Sequence, residues 1–184
     1  MSQENVEAEM HTRHTGGFTV IELLVAVALI GILAAFAVPS MRDAWNSNRV
    51  AVSANELVAA VSLARNVGFR NSHGGHACAS VDGTSCSDDW SDGWIVWTDR
   101  DGDGTPSSAE VLRQVSAPGR IEIIATGLPG RGNVLSFDER GRLVGAASPR
   151  FTLTPMTCTP GAVIVRRIVV SRSGRVQLDR DVCV

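Results

Sequence analysis

Four carboxylates and a glycine in the stretch Asp99-Arg100-Asp101-Gly102-Asp103-Gly104-Thr105-Pro106-Ser107-Ser108-Ala109-Glu110 carry the spacing of a cation loop. Asp99, Asp101, Asp103, Gly104 and Glu110 occupy positions 1, 3, 5, 6 and 12, the places from which a calcium-binding loop offers its oxygens and makes its sharp turn. The flanks argue the other way. Gly93-Trp94-Ile95-Val96-Trp97-Thr98 before the loop and Val111-Leu112-Arg113-Gln114-Val115 after it read as strands, whereas a calcium loop of this kind sits between helices. A solvated hairpin turn is therefore the favoured reading, with calcium the alternative and no cofactor firmly implied.

Other reactive side chains are few. His73 and His76 flank a Gly-Gly loop, with no evident serine or cysteine nucleophile and acidic orienter beside them. Two loop histidines alone read as solvated surface residues, and the chain reads as a structural protein, not an enzyme. Trp45, Trp90, Trp94 and Trp97 read as core plus an interface edge, with Trp94 and Trp97 on opposite strand faces because side chains alternate. The four cysteines, Cys78, Cys86, Cys158 and Cys183, allow three pairings. Sequence neighbours are the easier closures, which favours Cys78–Cys86 and Cys158–Cys183; zinc competes poorly, since no CxxC-type ligand spacing is present.

Charge is nearly balanced, with a formal net charge of −2, so bulk electrostatics select neither nucleic acid nor membrane surface. Its distribution is uneven. Residues 82–110 hold eight acids and one arginine, whereas residues 120–184 hold ten arginines and five acids. Convergent arginines on the second stretch would contact phosphates, with Arg166, Arg167, Arg172 and Arg175 as candidates for DNA.

One carboxylate stands apart. Residues 18–38, FTVIELLVAVALIGILAAFAV, form an apolar run in which Glu22 is the single charge. As a helix the run spans roughly 32 Å, about one hydrocarbon core. A carboxylate there costs on the order of 2.5–3.5 kcal/mol, so it calls for a partner. No basic residue lies one turn away, and the available cation is the α-amino group that cleavage before Phe18 would create. A polar leader of residues 1–17, a Gly16-Gly17 pair and then the apolar run is the reverse of an ordinary secretory signal, whose small-residue cleavage site follows its apolar region.

These residues, from Gly17 through Phe18 and Glu22 to Val25, closely resemble the signal of type IV prepilins and type II secretion pseudoprepilins. The resemblance implies cleavage by a prepilin peptidase between Gly17 and Phe18, N-methylation of Phe18, and pairing of Glu22 with the terminal amine of a neighbouring subunit during assembly. Pro39 sits where many members carry a helix-kinking proline.

The elements that must carry these sites follow from periodicity. Beyond Pro39 an amphipathic helix continues over 39–72, with Leu57, Val61, Ala64 and Gly68 in one stripe and Val58 and Leu63 widening it. From residue 73 to 184 the pattern becomes strands, expected at 76–81, 93–99, 110–117, 120–126, 133–138, 142–146, 150–154, 162–171 and 175–179, separated by Gly-containing turns. The expected class is α+β: a long N-terminal helix, half transmembrane over 18–38, packed on a mostly antiparallel β-sheet head.

The head resembles the GspH/FimT group of minor pilins and pseudopilins, through Leu57–Arg65, Gly93–Asp99 and Ser171–Val176. That resemblance implies a minor pilin of a type IV pilus, FimT/FimU-like, or else a GspH-like minor pseudopilin of type II secretion. The partners implied are prepilin peptidase and other major and minor pilins or pseudopilins. The place implied is the inner membrane, single-pass with a periplasmic head, and then the filament. Some FimT-like members bind DNA through a C-terminal Gly-Arg-x-Arg motif; the matching stretch here is Gly174-Arg175-Val176-Gln177, with glutamine in the last place.

Overall fold

The computed structural model of the chain describes residues 18–128, 133–145 and 147–184, and of residues 36–40 the backbone alone. The chain divides into two compact units, one ending at Pro39 and one covering Ser40–Val184. Helix α1 is assigned over Val20–Arg70. The leader and Gly17, hence the expected cleavage site, lie outside the described residues, as does the side chain of Pro39; the helix assignment is not interrupted at Pro39.

In the first unit α1 starts at Thr19, whose hydroxyl accepts from the Glu22 N–H at 3.3 Å while its carbonyl accepts from Leu23 N–H. Thr19 is thus the N-cap, and Thr19-Val20-Ile21-Glu22 has capping-box spacing. Val20, Ile21, Leu24, Ile30 and Leu33 are all more than half exposed, so the apolar surface runs around the helix and not along one stripe. A helix apolar on every side needs lipid or other helices around it. Among the described residues no helix is long and apolar enough to cross a membrane. The described side chains of the apolar run end at Ala35, and the expected span needs residues 36–38 as well.

In the second unit the helix buries one face, formed by Val50, Ala54, Leu57, Ala60, Val61 and Ala64 at helical spacing. Eight strands follow: β1 (Gly75–Ala79), β2 (Gly93–Trp97), β3 (Val111–Ser116), β4 (Ile121–Thr126), β5 (Leu135–Phe137), β6 (Arg150–Pro155), β7 (Val165–Val170) and β8 (Val176–Asp181). The strands form two four-stranded sheets, ordered β3-β2-β1-β5 and β4-β6-β7-β8, every pair antiparallel. Among the described residues the expected strand at 142–146 reduces to one bridge, Phe137 to Leu143, and the Leu143 N–H is given to the Arg172 carbonyl.

One core joins the helix stripe to the inner faces of both sheets, with Trp94, Val96, Leu135 and Phe137 from the first and Ile121, Ile123, Phe151 and Ile168 from the second. Trp90 closes the seam. It sits on a short 3-10 turn (Trp90–Asp92) capped by the Asp89 carboxylate, and packs edge-on against Phe151 at 4.8 Å between centroids. Next to it the Ser91 hydroxyl accepts from the Ile123 N–H at 2.9 Å, tying the loop of one sheet to the first strand of the other.

Strand β2 is buried throughout. Trp94 and Val96 face the main core, while Ile95 and Trp97 face a second cluster with Cys78, Cys86, Val111 and Val134. The alternation expected of Trp94 and Trp97 is present. Loop 80–92 supplies the cover for that second face, held by the Cys78–Cys86 disulfide and the Ser87 N–H to Ala79 carbonyl bond.

Candidate functional site

The N-terminal site is built by the first helical turn. Phe18 is 85% exposed, and Glu22 is exposed three residues past the N-cap. That position favours an anion, because the first N–H groups of a helix carry partial positive charge. Among the described residues Glu22 makes no salt bridge, so its carboxylate faces outward with the cap formed by Thr19.

The acidic loop is the hairpin between β2 and β3. Carboxylate oxygens of Asp99, Asp101 and Asp103 lie within 4.8 Å of one another. Each is engaged by its own loop: Asp99 accepts from Gly102 and Gly104 N–H, Asp101 from Asp103 N–H, and Asp103 from Thr105 N–H and hydroxyl. Glu110 does not join them. It is buried at the base of the hairpin, accepting from Arg100 N–H at 2.7 Å and from Ser107 N–H and hydroxyl at 3.1 and 2.8 Å. The Ser107 hydroxyl, then the Arg100 amide, hold its carboxyl below the usual range. The expected four-carboxylate set is therefore three plus a structural clasp, because strand flanks turn position 12 inward.

The candidate DNA arginines do not gather on one face. Arg166 and Arg167 are consecutive on β7 and point to opposite sides. Arg166 is buried and donates to the Val165 carbonyl, whereas Arg167 pairs with Asp181 across to β8. Only Arg172 and Arg175 share a location, the β7–β8 turn closed by Ser171 and Arg175. The residue standing opposite Arg166 is Arg180, a cation outside the candidate set, and burial together with that neighbour lowers the Arg166 guanidinium pKa.

The cysteines pair as Cys78–Cys86 and Cys158–Cys183. Both loops so closed cover sheet faces, the second beside Ile164, Val165 and Ala162.

His76 departs from the solvated reading. It lies on β1, half-buried and stacked on Trp97 at 4.5 Å, with Nδ1 2.9 Å from the Ser136 hydroxyl and Nε2 3.3 Å from the His73 carbonyl. Burial is the main reason its pKa is lowered, against smaller opposing effects of the His73 carbonyl and Asp99. The unfolded chain then binds the proton more readily than the folded one. The His76 contribution to stability is full above the unfolded value of about 6.5 and is lost as pH falls toward the lower folded value. Thermal melts should fall on acidification from about pH 7 to 5, and His76→Phe, which keeps a ring over Trp97, should flatten that limb. Superimposable pH profiles for parent and variant would remove His76 as the cause.

Sequence reasoning passed over Arg65. From α1 its Nε donates to the Gly141 carbonyl at 3.0 Å, and a Cβ at Gly174 would lie 2.6 Å from the same nitrogen. One side chain thus wedges between the turn after β5 and the β7–β8 turn. Its signal was an arginine at the edge of the helix stripe, which spacing alone gives no target.

Residues 53–174 match the family described as "Type II transport protein GspH", and residues 12–38 match the prokaryotic N-terminal methylation motif. The fold is similar to that of the type IV minor pilin FimU of Pseudomonas aeruginosa PAO1, at 22% identity over 72% of this chain and 89% of that one, with a TM-score of 0.53. It is also similar to the minor pseudopilin EpsH from the type 2 secretion system of Vibrio cholerae, at 12% identity over 72% and 97%, with a TM-score of 0.51. No curated protein matches. At such identities the structural likenesses speak for the fold, while the GspH match spans about two thirds of the sequence. The chain belongs to the family described as type II transport protein GspH and carries the prokaryotic N-terminal methylation motif.

Proposed function

We propose that this chain is a minor subunit of a type IV pilus, cut between Gly17 and Phe18 by a prepilin peptidase, N-methylated at Phe18, and held in the inner membrane with its head in the periplasm until it enters the filament. The observation that carries the reading is the helix beginning at Val20, apolar on all sides with one outward carboxylate in its first turn. Such a surface is stable in lipid or in a helix bundle, and the bundle alone offers the carboxylate a fixed amine. Two disulfides in the head agree with an oxidising compartment.

A minor pseudopilin of type II secretion is the second reading, favoured by the GspH family match. The assembly physics is shared, so the test has two stages. Mass spectrometry of the chain from native membranes should show a first residue Phe18 bearing one extra methyl group; a chain still beginning at Met1 overturns both readings. Deletion of the gene should then remove surface fibres with secretion intact for the pilus reading, whereas intact fibres with exoproteins trapped in the periplasm would transfer the protein to secretion.

A further inference from the structure

Where the head begins, α1 and the loop after β6 flank a cleft of about 530 Å³ lined by Arg42, Asp43, Trp45, Arg49 and Arg120. Its walls are fixed. Asn46 Nδ2 donates to the Thr157 carbonyl at 3.0 Å, the Thr159 hydroxyl donates to Asp43 Oδ1 at 3.0 Å, and the Cys158–Cys183 disulfide holds the loop between them. The one carboxylate of the lining, Asp43, is thereby hydrogen-bonded into the wall and stands against three guanidinium groups. None of the three arginines takes part in an ion pair among the described residues. Trp45 lies between Arg42 and Arg49 in sequence and is 64% exposed. Asp89, Asp92 and Glu122 line the neighbouring groove beside Arg120, and Glu56 lines the one beside Arg49; these acids set a limit on how far cationic character extends.

Arg120 makes the cleft more than a chance cluster. Its φ is 59°, directly after Gly119 at 60°, so a long side chain sits in the left-handed region where glycine is the cheaper residue. Residues held in this way cluster at functional sites. Position along the chain supplies the ligand class. Arg42 follows Val38, the end of the apolar run, by four residues, a separation of at most about 14 Å in any conformation. Trp45, seven residues past Val38, is of the type enriched at membrane interfaces, arginine close to the end of an apolar helix reaches for the headgroup layer, and a basic pocket takes an anionic headgroup.

We propose that this cleft binds the phosphodiester headgroup of an anionic phospholipid, with Arg42, Arg49 and Arg120 on the phosphate and the Trp45 ring against the glycerol shoulder. The inference rests on the membrane-anchored reading above, and it implies that headgroup release accompanies extraction of the subunit into a filament.

The test uses the full chain in vesicles of phosphatidylcholine alone or mixed roughly 3:1 with phosphatidylglycerol, a composition that supplies the anionic surface. Carbonate-resistant insertion is scored first and reports the anchor separately; a chain that is stripped off sinks the anchor and the cleft assignment together. On inserted protein, native mass spectrometry after detergent extraction should show phosphatidylglycerol retained over phosphatidylcholine. Removal of an arginine by Arg42→Gln or Arg49→Gln should lower retention about fivefold each. Arg120→Gly should lower it similarly while the melting temperature holds or rises, separating binding from folding. Equal retention of the two lipids, or variants that retain phosphatidylglycerol like the parent, would overturn the proposal. So would inorganic phosphate alone quenching Trp45 fluorescence as fully as the lipid does, or arginine variants that keep the lipid and lose only co-purification of another pilin-type subunit.

Discussion

Gly75→Ala should unfold or severely loosen the head, lowering its melting temperature by about 10 °C or more. The reason lies in one crossing. A Cβ at Gly75 would stand 1.9 Å from the Ala64 carbonyl oxygen and 2.7 Å from the Gly68 nitrogen, both backbone atoms of α1. Gly68 in turn faces the carbonyls of Phe137 and Asp138 at 3.0 Å from its own ideal Cβ position. The last turns of the helix therefore pass over β1 and β5 through a glycine–glycine contact, and no flexible side chain is present to yield. Forcing a methyl group into packed backbone costs about 1–3 kcal/mol and occasionally more, against a total stability of only about 5–15 kcal/mol. Gly102→Ala is the matched control. Gly102 has a φ of 78° and open space around its Cβ position, so only the left-handed conformation is penalised there, about 1–2 kcal/mol. Thermal or urea melts of the two variants decide the matter: if Gly75→Ala melts with or above Gly102→Ala, the crossing is wrong.

That crossing marks where sequence reasoning stops. Gly68 stands in the helical stripe, whereas Gly75 falls in the turn that ends the helix, one residue before the strand expected at 76–81; in the structure it opens β1. Their contact depends on the angle at which helix meets sheet, which no local pattern encodes. The same limit split the head in two. All eight strands coincide with expected ones, and only the expected strand at 142–146 is missing among the described residues, yet sheet membership is decided by distant partners, such as His76 with Ser136. β2 was the most legible strand, since Gly-Trp-Ile-Val-Trp is apolar on both faces and is covered on both. At the acidic loop the spacing of Asp99, Asp101, Asp103 and Glu110 was visible, but the inward turn of Glu110 was not, because it follows from the hairpin that carries it. Arg166 and Arg167 show the converse. Their opposed faces follow from strand period alone, and a count of cations along the chain hides it.

Glu22→Gln should leave membrane insertion intact or improved and reduce incorporation into filaments by about 10²–10⁴-fold, the loss expected when one member of a desolvated ion pair is removed at about 3–5 kcal/mol. Two roles compete for this residue, and glutamine separates them. In the first, the carboxylate completes a capping box with Thr19, whose hydroxyl takes the Glu22 N–H. Glutamine serves a capping box as well as glutamate does, so a capping role predicts near-normal incorporation for Glu22→Gln and a defect for Glu22→Ala. In the second, the negative charge meets the amine of a neighbouring subunit, and glutamine and alanine should fail alike. Thr19→Val completes the comparison by removing the hydroxyl and keeping the charge, at a cost of about 1 kcal/mol to the helix start. The charge role is favoured by energetics. An exposed cap contributes about 1 kcal/mol, too little to justify a carboxylate whose insertion costs on the order of 2.5–3.5 kcal/mol. Immunoblots of sheared filaments against membrane fractions, for all three variants, read the outcome directly. Incorporation of Glu22→Gln at the parent level would leave the helix cap as the whole function of Glu22.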